Sequence, residues 1–137
     1  MNPDLLPPHN FEAEEAIIGS LLLDDTVMRR IGTLVQPQDF FRARTRWAYE
    51  AALRVVARGD PTDPISIAEE LGHGDRWATI GGAAFVAQCI ATVPTSVHAE
   101  YYARLVHQLA MQRREIQRGG QIASMGFNGT PERKPRY

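Results

Sequence analysis

The sequence predicts an all-α fold, a compact helical globule of about six helices followed by one long helix. Three observations predict it. Apolar residues recur at three- and four-residue spacing between breaks made by proline and glycine, as amphipathic helices require. No segment alternates apolar and polar residues in the manner of a half-buried strand. With 44% hydrophobic residues in 137, the chain can bury one sizeable core and is too short for two large domains.

Pro3, Pro7 and Pro8 mark residues 1–9 as an extended arm, because proline lacks an amide proton and disfavours helix before it. Asn10 is a good N-cap, and Glu12, Glu14 and Glu15 place negative charge at the positive end of the helix that follows. Its inner face carries Ala13, Ile17, Ile18, Leu21 and Leu22. Asp24 and Asp25 end it and cap a second helix carrying Val27, Ile31, Leu34 and Val35, which Pro37 ends. Phe40 and Phe41 read as core plugs in the connection. A third helix runs from about Ala43 to Arg58, with Trp47, Ala48, Ala51, Ala52, Val55 and Val56 inward and Gly59 as its stop.

Asp63 caps a short helix with Pro64 at its first position and Ile65, Ala68 and Leu71 inward. Gly72 and Gly74 break the chain, and Gly81-Gly82 precede a helix carrying Phe85, Val86, Cys89 and Ile90. Thr95 or Ser96 caps the longest helix after Pro94. Ala99, Tyr102, Val106, Leu109, Ile116 and Ala123 give that helix a row suited to shallow-angle packing on another helix. Arg113 interrupts the row. Gly119 and Gly120 each cost roughly 1 kcal/mol relative to alanine inside a helix, so the helix either frays there or is held by a partner surface.

Several chemistries are disfavoured. A net charge of −1 lacks the basic excess of a protein built to grip phosphates. The only lysine, Lys134, lies in the tail, so the phosphate cradle G-x-x-x-x-G-K-[ST] is absent. His9, His73, His98 and His107 are too scattered for a metal site. Ser20 sits inside a helix rather than on a nucleophile elbow, and no catalytic residue is assigned. The single cysteine, Cys89, excludes an internal disulfide and reads as a small core residue. With neither a signal peptide nor a stretch of roughly 18 apolar residues, a cytoplasmic protein without a membrane partner is expected.

One basic knot stands out. Arg42, Arg44 and Arg46 flank Phe40, Phe41 and Trp47, a combination that could hold single-stranded nucleic acid by phosphate contact and stacking. A solvated face over buried aromatics is the plainer reading.

The wording of the sequence then becomes recognisable. Leu6-Pro7-Pro8-His9-Asn10-Phe11-Glu12-Ala13-Glu14, followed by Ile18-Gly19-Ser20-Leu21-Leu22, resembles the start of the DnaB family of replicative helicases. In the same order come Pro37-Gln38-Asp39-Phe40-Phe41, Arg58-Gly59-Asp60-Pro61-Thr62-Asp63, Ile80-Gly81-Gly82, Val93-Pro94-Thr95 and Ala99-Glu100-Tyr101-Tyr102-Ala103. The resemblance spans residues 6 to 127.

It implies a helical globule over 10–94, the first arm of a helical hairpin over 95–127 and a flexible tail or linker over 128–137. It also implies a scaffold: paired hairpins build dimers and a hexameric collar, and the collar recruits a DnaG-type primase, with a helicase loader as a further partner. Ile116, Ile122 and Phe85 match primase-facing positions, while Phe85 also suits plain core. Tyr102, Val106 and Leu109 are expected to form the self-association face. The family's second hairpin arm, linker helix and ATP- and magnesium-dependent motor are not in these residues, so no cofactor is expected here and DNA would be touched through the motor. A stand-alone modulator of the helicase or its loading, and a small single-stranded-DNA-binding protein, are the alternatives.

Overall fold

The computed structural model describes residues 6–72 and 75–128, with side chains through Ala123. The first five residues, His73, Gly74 and the tail from 129 lie outside the described residues, as do the side chains of Met125 and Phe127. Seven α-helices and one 3-10 turn make up the fold: α1 (Phe11–Leu23), α2 (Val27–Ile31), the turn Pro37–Asp39, α3 (Ala43–Ala57), α4 (Pro64–Leu71), α5 (Arg76–Ile80), α6 (Gly82–Thr92) and α7 (Ala99–Asn128). Among the described residues there is no strand. The protein is all-α.

Local signals set several of these boundaries as expected. The Asn10 carboxamide accepts from the Ala13 amide at 2.9 Å, and Asp63 accepts from Ser66 at 2.8 Å with Pro64 in the first turn. Gly59 follows α3 at φ +82°, a left-handed conformation that favours glycine.

Other boundaries differ. α2 stops at Ile31, and Leu34 and Val35 lie in the turns beyond it. Val35 is buried in the core all the same, and the Tyr49 hydroxyl donates to its carbonyl at 2.9 Å. Pro37 therefore opens a 3-10 turn instead of ending a helix. Asp24 accepts from the Thr26 amide and hydroxyl at 2.9 and 2.7 Å; it shapes the turn before α2 without capping it. α5, between the two glycine breaks, is an unforeseen helix of five residues. α7 begins at Ala99. Thr95 accepts from Val97 and Ser96 donates to Asp24, so neither hydroxyl caps α7 itself.

α1 is the central post. Residues Ala13 to Leu21 are all buried, which no surface helix with one apolar face would show. α6 and α7 pack along it, α3 closes a third side, and α4 and α5 lie against α3. Ile17, Leu21, Val27, Ile31, Phe40, Tyr49, Val55 and Ile80 fill the centre, each contributing roughly 1.5–3 kcal/mol for an aliphatic or aromatic side chain withdrawn from water. At Gly19 the α1 backbone nearly touches α6: a Cβ there would lie 2.1 Å from the Cys89 carbonyl oxygen.

α7 has two halves. Ala99, Ala103, Val106 and Ala110 are 0–2% exposed and lie against the globule, their small size letting the long helix approach closely. From Gln112 to Ala123 every residue is exposed except half-buried Arg113. The helix runs unbroken through Gly119 and Gly120 to Asn128, so of the two outcomes expected at these glycines, fraying there is not the one observed.

Candidate functional site

The bare half of α7 is held at its root by buried charge. Asp39, 1% exposed at the end of the 3-10 turn, accepts from the Gln36 amide at 2.9 Å and from Arg114 at 2.7 Å, and pairs with His107 Nδ1 at 3.0 Å. Burial alone would raise its carboxyl, but the Gln36 amide, His107 and Arg114 together hold it below the ordinary carboxylate value. Arg113, one residue earlier, donates to the Pro8 carbonyl at 2.8 Å and to the Asp39 carbonyl at 2.6 Å. Its guanidinium also stacks over Phe41, 5.2 Å from the ring centroid. The residue that interrupts the apolar row of α7 is thus the one that fastens α7 to the N-terminal strap and the turn.

A second fastening lies at the other end. Arg30 of α2 donates to Glu100 at 2.9 Å and to the Ser96 carbonyl at 2.7 Å. Held at both ends of its globule-facing stretch, α7 leaves the body in a fixed direction.

Glu14 and Glu15 do more than place negative charge at the start of α1, where the sequence puts them. Glu12 is exposed, as charge at a helix N-terminus should be, but Glu14 is 1% exposed. It accepts from the Phe41 amide at 2.8 Å, the Arg42 amide at 3.2 Å and the Thr45 hydroxyl at 2.6 Å. A carboxylate on α1 therefore anchors the residues that lead into α3. Glu15 meets Arg42 at 3.4 Å and Gln88 at 3.1 Å.

The residues expected to meet partners separate into three groups. Ile116 and Ile122 are 44% and 58% exposed on the free half of α7. Six residues apart, they are about 9 Å apart along the helix and about 120° apart around it, so a partner touching both must reach two sides. Phe85 is only 2% exposed; it belongs to the core, with the Arg44 guanidinium 5.6 Å from its ring centroid. The row assigned to self-association is turned largely inward: Val106 is 2% exposed, and Tyr102 and Leu109 are half-buried. The chain's own globule covers that face, because α7 packs on α1 along it.

The arginine knot does not act as one surface. Arg42 pairs with Glu15 and stacks 4.4 Å from the Phe11 ring centroid, and Arg44 lies over Phe85. Arg46 points elsewhere, into a cleft beside Ile116. Burial first, and then the charge of Glu15, push the Cys89 thiol up to about 12, leaving it protonated and inert near neutral pH. The Ser20 hydroxyl is buried and donates to the Ala16 carbonyl at 2.7 Å. Among the described residues no three His, Cys, Asp or Glu side chains cluster as metal ligands, and no helix is long and apolar enough to cross a membrane.

Comparison with known proteins agrees with this architecture. The profile of the DnaB-like helicase N terminal domain matches residues 6–108. The replicative DNA helicase DnaB of Geobacillus stearothermophilus is 34% identical over 127 residues, covering 93% of this chain and 28% of that protein. The replicative DNA helicase DnaC of Bacillus subtilis strain 168 is 33% identical over 129 residues, covering 94% and 28%. The chain thus spans less than a third of the length of these relatives. The crystal structure of the N-terminal domain of DnaB helicase from Mycobacterium tuberculosis superposes with a TM-score of 0.88 at 32% identity, covering 92% of this chain and 88% of that one. By profile, sequence and fold, the chain belongs to the DnaB-like helicase N-terminal domain family.

Proposed function

We propose that this chain is a scaffold module of a replicative DNA helicase, which helps to assemble the helicase collar and docks primase on the free half of α7. The observation that carries this reading is the pairing of a firmly fastened root with an uncovered end. Asp39 and Arg113 fix where α7 leaves the globule. Ile116 and Ile122 then stand exposed among the mostly polar residues from Gln112 to Ala123. Exposed apolar anchors of this kind supply much of the affinity of protein interfaces.

Collar assembly belongs to the same reading. With Val106 committed to the globule, arm-to-arm pairing draws on half-buried Tyr102 and Leu109 and on the uncovered surface beyond Arg113. ATP-driven unwinding, DNA contact and loader binding are assigned to the helicase as a whole. Phe85 supports α6 from the core.

The test is a calorimetric titration of the chain with the helicase-binding domain of its cognate primase. The wild-type chain binds, and Ile116→Asp, which places a charge at the centre of the contact, weakens binding by at least about tenfold, or 1.4 kcal/mol. Unchanged binding by a folded Ile116→Asp variant would refute the assignment.

A further inference from the structure

We propose that the cleft beside Ile116 is a carboxylate subsite, which takes an acidic side chain lying next to the apolar anchor of the docking partner. The inference rests on the primase-docking reading above and names the chemistry that would give it specificity.

The cleft, about 300 Å³, lies where the N-terminal strap, the 3-10 turn, the start of α3 and the root of the α7 arm converge. Phe40 and Phe41 form part of its lining, Ile116 sits among the same residues, and three arginines, Arg46, Arg113 and Arg114, face it. Two of the three are engaged. Arg113 donates to the Pro8 and Asp39 carbonyls, and Arg114 is paired with the Asp39 carboxylate. Arg46 makes no ion pair with any described residue. Asp39 is buried and already holds Arg114 and His107.

The result is a half-apolar cleft with one uncommitted guanidinium and an exposed isoleucine beside it. A guanidinium fork matches a carboxylate in two-pronged geometry, and the adjacent apolar wall selects a neighbouring aliphatic side chain. A phosphodiester backbone fits less well. It presents a charge at every nucleotide and is held by several cations at once, whereas here Arg42 and Arg44 are engaged on another face. A protein segment with an acidic residue beside an apolar one is the occupant that both halves of the cleft recognise.

The experiment compares the wild-type chain with Arg46→Glu, Arg46→Gln, Ile116→Asp and Arg29→Glu in titrations with the same primase domain at low and high salt. Arg29 is exposed on α2 and unpaired among the described residues, so it controls for net charge. Arg46→Glu is expected to weaken binding about tenfold or more and to remove most of its salt dependence. Arg46→Gln weakens it less, and Arg29→Glu stays near wild type. Single Glu→Lys or Asp→Lys changes across the primase domain should include one that restores binding to Arg46→Glu. Should Arg46→Glu fail to fold, Arg46→Gln carries the comparison.

Loss with Ile116→Asp but no loss with either Arg46 variant would overturn the subsite and leave the docking role intact. A wild-type chain that does not bind would overturn both. Binding of oligo-thymidine that Arg46→Glu abolishes would overturn the protein occupant in favour of nucleic acid.

Discussion

Glu14 shows how much one buried side chain can organise. Its carboxylate accepts from two amides and one hydroxyl at the start of α3, and hydrogen bonds to a charged acceptor are among the stronger ones in a fold. Glu14→Ala leaves the Phe41 and Arg42 amides without an acceptor and should destabilise the chain by about 2–4 kcal/mol in urea unfolding. Glu14→Gln, which keeps one acceptor oxygen, should cost less. Asp39 carries a pH dependence. Its folded carboxyl titrates below the ordinary aspartate value, so its contribution is complete above that value and is lost as pH falls through the lower, folded one. Asp39→Asn should therefore lower stability at pH 7 and flatten the acid limb of a stability–pH curve. These roles left little trace in the sequence. Asn10 and Asp63 were legible because a cap acts on its own helix, two or three residues away. Glu14 acts across 27 residues or more, and nothing local distinguishes it from Glu12. Arg113 did leave a signal, as the one charged residue in an apolar row, and the structure supplies its reason.

At the scale of elements, periodicity identified α1, α3 and α7 because their buried apolar residues recur over several turns. It gave less where tertiary contact overrides local pattern. α2 looked longer than it is because Val35 is apolar and buried without being helical. α5, five residues between glycines, is too short for a period to show. The contact of α1 with α6 was invisible for a different reason: only the fold reveals the Cys89 carbonyl against Gly19. Gly19→Ala should force the two helices apart and destabilise by about 1–3 kcal/mol or more, since overpacked backbone cannot swing aside as a side chain can. Gly119 and Gly120 are the opposite case, with nothing within 4 Å of a Cβ added at either. Gly119→Ala should strengthen the arm by about 1 kcal/mol, seen as roughly fivefold slower amide exchange around it, while the main unfolding transition barely moves.

For the whole molecule, the globule works as a clamp and the far half of α7 as the part it presents. α1 carries the core, Arg30 and Asp39 fasten α7 at either end of its buried stretch, and the residues from Arg114 to Ala123 are exposed. The all-α class was readable from apolar spacing and the family from motif order. Which apolar residues on α7 face inward was not, because Val106 and Ile116 belong to the same helical row and only the body's position separates them. Docking of primase on the exposed half of α7, as proposed, is tested most directly by amide hydrogen exchange with and without the helicase-binding domain of the cognate primase. On binding, the segment around Ile116 and Ile122 should gain protection, while α4 and α5 do not change. Protection confined to α4, α5 and α6, with the α7 arm exchanging as freely as before, would contradict it.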